Sequence, residues 1–241
     1  MSFRSAGCLD RCLQALPAAL GSLVATVTVV DNASDDDSAA VARRHRGVRV
    51  VVNDENVGYA RAMNQALAGS AAPILIALNP DTVPSPGSLA ILVGVVRERP
   101  GVGLAAPRLV NPDGSMQHSV LRFPSVRLAL VTGLCPPRLR VGRVGRRWWL
   151  EGYAAHDETA MIDWAIGAVH AIRAEALEDA KRPYPEASFM YGEDTALCWS
   201  LRERGWDVVL EPAARVEHVG GASSSLVWDA ETRASRVLAE T

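Results

Sequence analysis

Two aspartates close apolar, β-branched runs: Asp31 follows VATVTVV (24–30) and Asp81 follows PILIALNP (73–80). In an open parallel sheet, ligands gather beyond the carboxyl ends of the strands. A carboxylate there can accept a hydrogen bond from a nucleobase or ribose, or hold a divalent cation through oxygen. One Asp after a strand is commonly a turn residue; two, on strands that could be neighbours, make the stronger case. A second acidic feature is Glu193-Asp194, just ahead of a stripe in which Leu197 and Leu201 share one helix face and Gly205 supplies a stop. The pair falls in the first helical turn, where the helix dipole favours negative charge, and capping alone would account for it. His218, in VEHVGG (216–221), follows a short strand pattern. A lone histidine is more often a satisfied or surface residue, but glycine neighbours let backbone approach a ligand closely.

These residues need elements to hold them. VATVTVV, VRVVV (48–52), PILIAL (73–78) and GVGLAAP (101–107) read as buried strands. Helical stretches fall between them: one through Arg46, one from about Gly58 to Ala68, and one opened by Ser85-Pro86, a cap with proline at the first position. Strands alternating with helices in short units predict an α/β fold, a mostly parallel sheet with helices on both faces. From about residue 110 the texture changes. Asn111-Pro112-Asp113-Gly114 is a turn, and 125–160 show no clean period. Within that stretch RLRVGRVGRRWW (138–149) reads either as a solvated loop with a partly buried tryptophan pair or as a contact with a membrane surface or lipid acceptor. Order resumes with AIGAVHAIR (165–173), the helix after Asp194, and WDVVLEP (206–212), which continue the same sheet.

Composition removes several classes. With 241 residues, 49% of them hydrophobic, the chain can bury one large α/β core. A net charge of −2 supplies no field for nucleic acid, so no nucleic-acid partner is expected. The four cysteines form no C-x-x-C or Cys/His cluster, which argues against a zinc site or a disulfide framework and fits a reducing, cytoplasmic setting. No apolar run approaches the ~18 residues of a membrane span, and the start lacks the basic-then-apolar order of a signal peptide. Gly101-Val102-Gly103-Leu104-Ala105-Ala106 matches G-x-G-x-x-A, but its glycines begin a strand and Pro107 follows where a helix should open. No P-loop or G-x-S-x-G sequence is present.

Taken together and in order, seven stretches resemble the inverting family 2 glycosyltransferases of GT-A fold, and within them the rhamnosyltransferases of bacterial cell-wall and polysaccharide assembly. They are VVDNASDDD (29–37), NVGYARAMNQAL (56–67), ALNPDTVPSPGSL (77–89), APRLVNPDGS (106–115), DWAIGAVHAIRAEAL (163–177), FMYGEDTALCWSLRERGW (189–206) and VEHVGG (216–221). The resemblance implies one domain over 1–222, a nucleotide-sugar half (1–110) and an acceptor and catalytic half (111–222), with a tail at 223–241. It implies that Asp31 binds the base of the nucleotide-sugar, that Asn56, Gly58 and Asn64 line its pocket, and that Gly167 and Ala168 border the donor sugar. Asn79-Pro80-Asp81 takes the place of the metal-binding D-x-D, so Asp81, with His218, would hold Mg²⁺ or Mn²⁺. Asp194 matches the catalytic base and Glu193 an acceptor-orienting neighbour. An inverting transfer is one displacement needing one base, not the paired carboxylates of glycoside hydrolysis.

The implied reaction moves a sugar, L-rhamnose from dTDP-rhamnose first, to a saccharide or polyprenyl-diphosphate-linked acceptor, in the cytoplasm or at the inner face of the membrane. A galactofuranosyl or other UDP-sugar transferase is the alternative. A sugar nucleotidyltransferase would want a Gly-rich loop bearing Arg or Lys near its first strand, and none is visible. The family opens with an apolar strand, central in its sheet, and a Thr-Tyr-Asn-like element. Ser2-Phe3-Arg4-Ser5 stand where that element should be, and the first strand is expected to be missing. A shortened, inactive nucleotide-sugar-binding homologue is therefore the third reading.

Overall fold

The computed structural model describes residues 1–126, 157–179, 182–186 and 192–220. The basic, tryptophan-bearing stretch at 138–149 and the tail at 223–241 lie outside the described residues. The β-branched runs become strands: β1 (Val27–Asp31), β2 (Val48–Val52) and β3 (Ile74–Leu78). Helices α1 (Ala6–Leu20), α2 (Ser38–Arg44) and α3 (Tyr59–Leu67) lie before and between them. A short β4 (Thr82–Pro84) follows, then α4 (Ser88–Glu98) and β5 (Val102–Val110). Leu89, Leu92, Val93 and Val96 form the buried stripe that docks α4, the i, i+3, i+4, i+7 spacing of an amphipathic helix. The later elements are β6 (Val120–Leu121), β7 (Ala160–Met161), β8 (Trp164–Ala165), β9 (Val169–Arg173), α5 (Glu193–Glu203) and β10 (Asp207–His218).

The α/β class holds, with the strands in three groups. β1 and β2 pair in parallel as a two-stranded unit. The main sheet runs β3-β9-β5-β10-β4, with β7 added to β10. Strands β5 and β10 are parallel, whereas β9 enters antiparallel between β3 and β5, making the main sheet mixed. Period and composition cannot distinguish these directions, because a strand buried on both faces reads as the same apolar run either way. β6 and β8 form a small antiparallel ribbon.

β10 carries the chain from the core to the site in twelve residues. Its ladder with β5 shifts register between Glu211 and Arg215, around Pro212, which cannot donate to a ladder. The sequence pattern shows only the part before this bulge. Gly103 sits in the middle of β5, where a Cβ would lie 2.8 Å from the Trp206 Cβ. It is there for close packing, in agreement with the failed dinucleotide fingerprint. No described helix is long and apolar enough to cross a membrane.

Two core clusters lie on opposite faces of the main sheet. Along β3, Leu75 and Ala77 join the cluster of α3, while Ile74, Ile76 and Leu78 pack against the cluster of α1. The outer edge of β1 carries only Ser2, in an isolated parallel bridge to Asp31, and the outer edge of β3 carries no ladder among the described residues. Both open edges line one cavity.

Candidate active site

At the carboxyl end of β3, Asn79 N–H donates to the Ala168 carbonyl at 2.9 Å, extending the Leu78–Val169 pairing. This joins the two strand-end segments, Asn79-Pro80-Asp81 and Gly167-Ala168. The β4–β10 register sets His218 opposite Thr82, and Val219 N–H donates to the Asp81 carbonyl at 3.0 Å. Asp81 and His218, 137 positions apart (218 − 81), thereby become neighbours, with Nε2 3.5 Å from Oδ1 and both residues 7% exposed.

The His218 ring is held from behind. Its Nδ1 lies 2.8 Å from Oε1 of Gln117, an acceptor, so Nδ1 carries the proton and donates. In the neutral ring, Nε2 then turns its lone pair toward the Asp81 carboxylate, and two electron-rich atoms in that relation call for a cation or a proton between them. Asn79 Oδ1 is a further buried acceptor with no hydrogen-bond partner among the described residues. An imidazole nitrogen and a carboxylate oxygen suit Mg²⁺ or Mn²⁺, and such ions typically complete their shell with water and substrate phosphate. Among the described residues no group of three or more His, Cys, Asp or Glu could hold a metal ion, so these residues by themselves do not close the shell. The residues fit a divalent cation that takes its remaining ligands from elsewhere.

Asp194 lies in the first turn of α5, whose N-cap Gly192 takes φ +91°, a conformation glycine adopts without strain. Its Oδ2 accepts the Gly167 N–H at 3.0 Å and its Oδ1 the Thr195 N–H at 2.7 Å. The Tyr59 hydroxyl donates to the Gly167 carbonyl at 3.1 Å, so the 166–168 backbone is gripped from both sides. Burial, then the charges of Glu193, Asp194 and Asp81, raises the Tyr59 pKa well above the usual phenol value, keeping it a donor. Asp194, the Gly167-Ala168 backbone, Asn79 and the Asp81–His218 pair thus form one connected group.

The other half of the expected pocket is organised by Asn32, which the sequence reading did not single out. Its amide donates to Asn56 Oδ1 at 2.7 Å and to the Gly58 carbonyl at 3.3 Å. It also accepts from Asn53 and from the Val57 N–H. This ties the 53–58 loop to the end of β1. Asp31 is 1% exposed, and its carboxylate accepts the Ser34 hydroxyl at 2.6 Å and the Ser34 N–H at 3.1 Å, an Asx-type turn. Asn64 bonds to both the carbonyl and N–H of Tyr184 and to Glu186, clamping 184–186 against α3. Asn32 could have been noticed as the residue after a strand-end Asp. The roles of Tyr59 and Gln117 require partners 108 and 101 positions away and leave no local signal.

Beneath the site His170 is fully buried, with Nδ1 3.3 Å from the Tyr184 hydroxyl and Nε2 3.2 Å from the Ala165 carbonyl. Burial lowers its pKa below the usual imidazole value, against the opposing pull of Asp194. The unfolded chain therefore takes up this proton first as pH falls. The stabilising contribution is complete above about pH 6.5 and is lost as pH drops through the folded value. The urea midpoint should fall between pH 7.5 and 5, and His170→Gln should reduce that fall relative to the parent. Equal slopes in the two proteins would remove His170 as its source.

The sequence profile described as "Glycosyl transferase family 2" matches residues 2–147. The chain belongs to glycosyl transferase family 2. It is 28% identical over 224 residues to the N-acetylglucosaminyl-diphospho-decaprenol L-rhamnosyltransferase of Mycobacterium tuberculosis (strain ATCC 25618 / H37Rv), covering 87% of this chain and 71% of that protein. Among solved structures it resembles the mannosyltransferase PcManGT from Pyrobaculum calidifontis, in complex with GDP-Man and Mn²⁺, with TM-score 0.60 and 18% identity over 98% of this chain. It also resembles TarS 1-349 of S. aureus, with TM-score 0.60 and 14% identity over 94% of this chain. The chain spans 58% and 60% of those two structures. The shared fold is the GT-A fold of glycosyltransferases.

Proposed function

We propose that this family 2 member is an inverting glycosyltransferase that moves L-rhamnose from dTDP-rhamnose to a lipid-linked saccharide, of the polyprenyl-diphosphate kind named for its mycobacterial relative. The observation that carries this reading is the connected group from Asp194 through Gly167 and Asn79 to Asp81 and His218. Asp194 takes the proton from the acceptor hydroxyl as that oxygen bonds to the anomeric carbon and the bond to the diphosphate breaks, inverting the centre. Gly167 N–H holds the Asp194 carboxylate in place, and Glu193 beside it orients the acceptor. Asp81 and His218 would hold Mg²⁺ or Mn²⁺, which when bound would supply positive charge to the leaving diphosphate. Asp31, Asn56, Gly58 and Asn64 form the nucleotide side of the pocket, and Gly167 and Ala168 border the donor sugar.

A cytoplasmic site at the inner face of a membrane, with peripheral contact, would suit such an acceptor. A screen of dTDP-rhamnose, UDP-galactofuranose, UDP-N-acetylglucosamine and GDP-mannose, each with Mg²⁺ or Mn²⁺, tests the donor. Hydrolysis or transfer of dTDP-rhamnose above the others is expected; turnover confined to a UDP-sugar would assign the alternative donor class. The open edge of β1, which carries Asp31, favours a second reading, donor binding without transfer. Donor binding with no product under any of these conditions would establish it.

A further inference from the structure

Arg108 of β5 and Arg215 of β10 are register partners on neighbouring parallel strands, so both side chains leave the same side of the sheet. Like charges this close repel, and the acids nearby do little to offset it. Arg108 reaches only the exposed Asp157, at 3.3 Å, and its Nε is buried with no hydrogen-bond partner. The Arg215 guanidinium has neither an ion pair nor a hydrogen bond among the described residues.

Arg215 stands in the wall of a cleft of about 450 Å³. The apolar lining comes from Val83 and Pro84 of β4, Val110 of β5, Pro112, and Ala15 and Ala18 of α1. Glu217 is the acid in this lining, and Arg11 holds its carboxylate at 2.8 Å. The 111–114 turn stands over Arg215: a Cβ on Gly114, at φ +82°, would lie 3.8 Å from Nη2. Asp113 in that turn accepts the Ser115 N–H and hydroxyl at 2.8 and 2.6 Å and does not pair with Arg215. Arg215 is therefore the unmatched charge of the cleft.

This place is separate from the site already described. None of Asp31, Asn56, Gly58, Asn64, Asp81 or Asp194 lines it. Asn111 in its wall accepts from the Gln117 amide at 3.2 Å, and the other end of Gln117 holds His218. One side chain thus divides the cleft from the Asp81–His218 pair.

We infer that this cleft is a binding site for a small organic phosphate. The phosphate oxygens take the Arg215 fork, with the charge of Arg108 alongside, and the apolar body lies on Val83, Pro84 and Ala18. Two adjacent arginines suit a dianion better than the single charge of a carboxylate. The cleft has the volume of a small-molecule site, whereas a membrane surface is met by clusters of about four to eight basic residues. The inference does not depend on which donor the enzyme takes.

The test is isothermal titration of the chain in excess chelator, which keeps cations away from Asp81 and His218. Phenyl phosphate should bind with a Kd of about 1 mM or below, inorganic phosphate more weakly, and phenol not at all. Arg215→Ala should weaken phenyl phosphate at least about tenfold, the usual loss of a charge-assisted hydrogen bond. Ala18→Phe, which fills the apolar end, should weaken it as much while leaving inorganic phosphate unchanged. Asp81→Ala should leave both affinities at the parental values. No binding, or binding that survives Arg215→Ala, would overturn the site. So would loss on Asp81→Ala, which would place the phosphate at the donor side. Flotation with phosphatidylglycerol vesicles that needs Arg215, with no binding of phenyl phosphate, would also overturn it and make this face a membrane contact.

Discussion

Asp194→Asn should leave nucleotide-sugar affinity within a few-fold of the parent and reduce turnover on the order of 10²–10⁴-fold, the usual contribution of a positioned general base. The amide keeps an oxygen that can accept the Gly167 N–H, so the helix start should stay folded, but it cannot take a proton from the acceptor. The split between binding and turnover is the diagnostic part. Isothermal titration with the donor and a single-turnover transfer assay measure the two sides separately. Turnover near the parental rate would exclude Asp194 as the base, and a parallel loss of donor affinity would make its role structural.

A loss of comparable size, but of different kind, is expected at the other end of the connected group. Asp81→Ala and His218→Ala should each weaken metal-dependent donor binding and lower transfer on the order of 10²–10³-fold, because several kcal/mol of charge stabilisation at the diphosphate would go with the cation. Chelation should silence the parent, and Mg²⁺ or Mn²⁺ should restore it. Mn²⁺ binding followed by electron paramagnetic resonance gives a readout independent of turnover. Gln117→Leu should weaken Mn²⁺ about 10–100-fold without removing a ligand, since Gln117 only orients the His218 ring. Full activity in excess chelator would overturn this assignment of Asp81 and His218.

The strand ends were legible in the sequence because β-branched runs that stop at Asp, Asn or Pro are decided by local chemistry. β1 and β3 fall within one to three residues of where VATVTVV and PILIAL place them. The helix after Gly192 was legible for the same reason: its stripe of Leu197, Cys198 and Leu201 is buried, as the spacing requires. The antiparallel entry of β9 was not legible, because a strand buried on both faces has no period that records its direction. Nor was the length of β10, whose bulge around Pro212 breaks the pattern just where the strand turns toward the site.

The sequence by itself determined which residue types stand at the strand and helix ends, and their order carried the family resemblance. Those features depend on neighbours a few positions away, within reach of turn and capping interactions. Only the tertiary structure decided which ends meet. The pairing of His218 with Asp81 comes from the β4–β10 register, and the grip on Asp194 comes from a backbone N–H 27 positions earlier. The Tyr59 and Gln117 contacts likewise close loops of about a hundred residues. Such contacts form only when burial of the whole sheet offsets the entropy of closing those loops, so no local stretch of the chain encodes them.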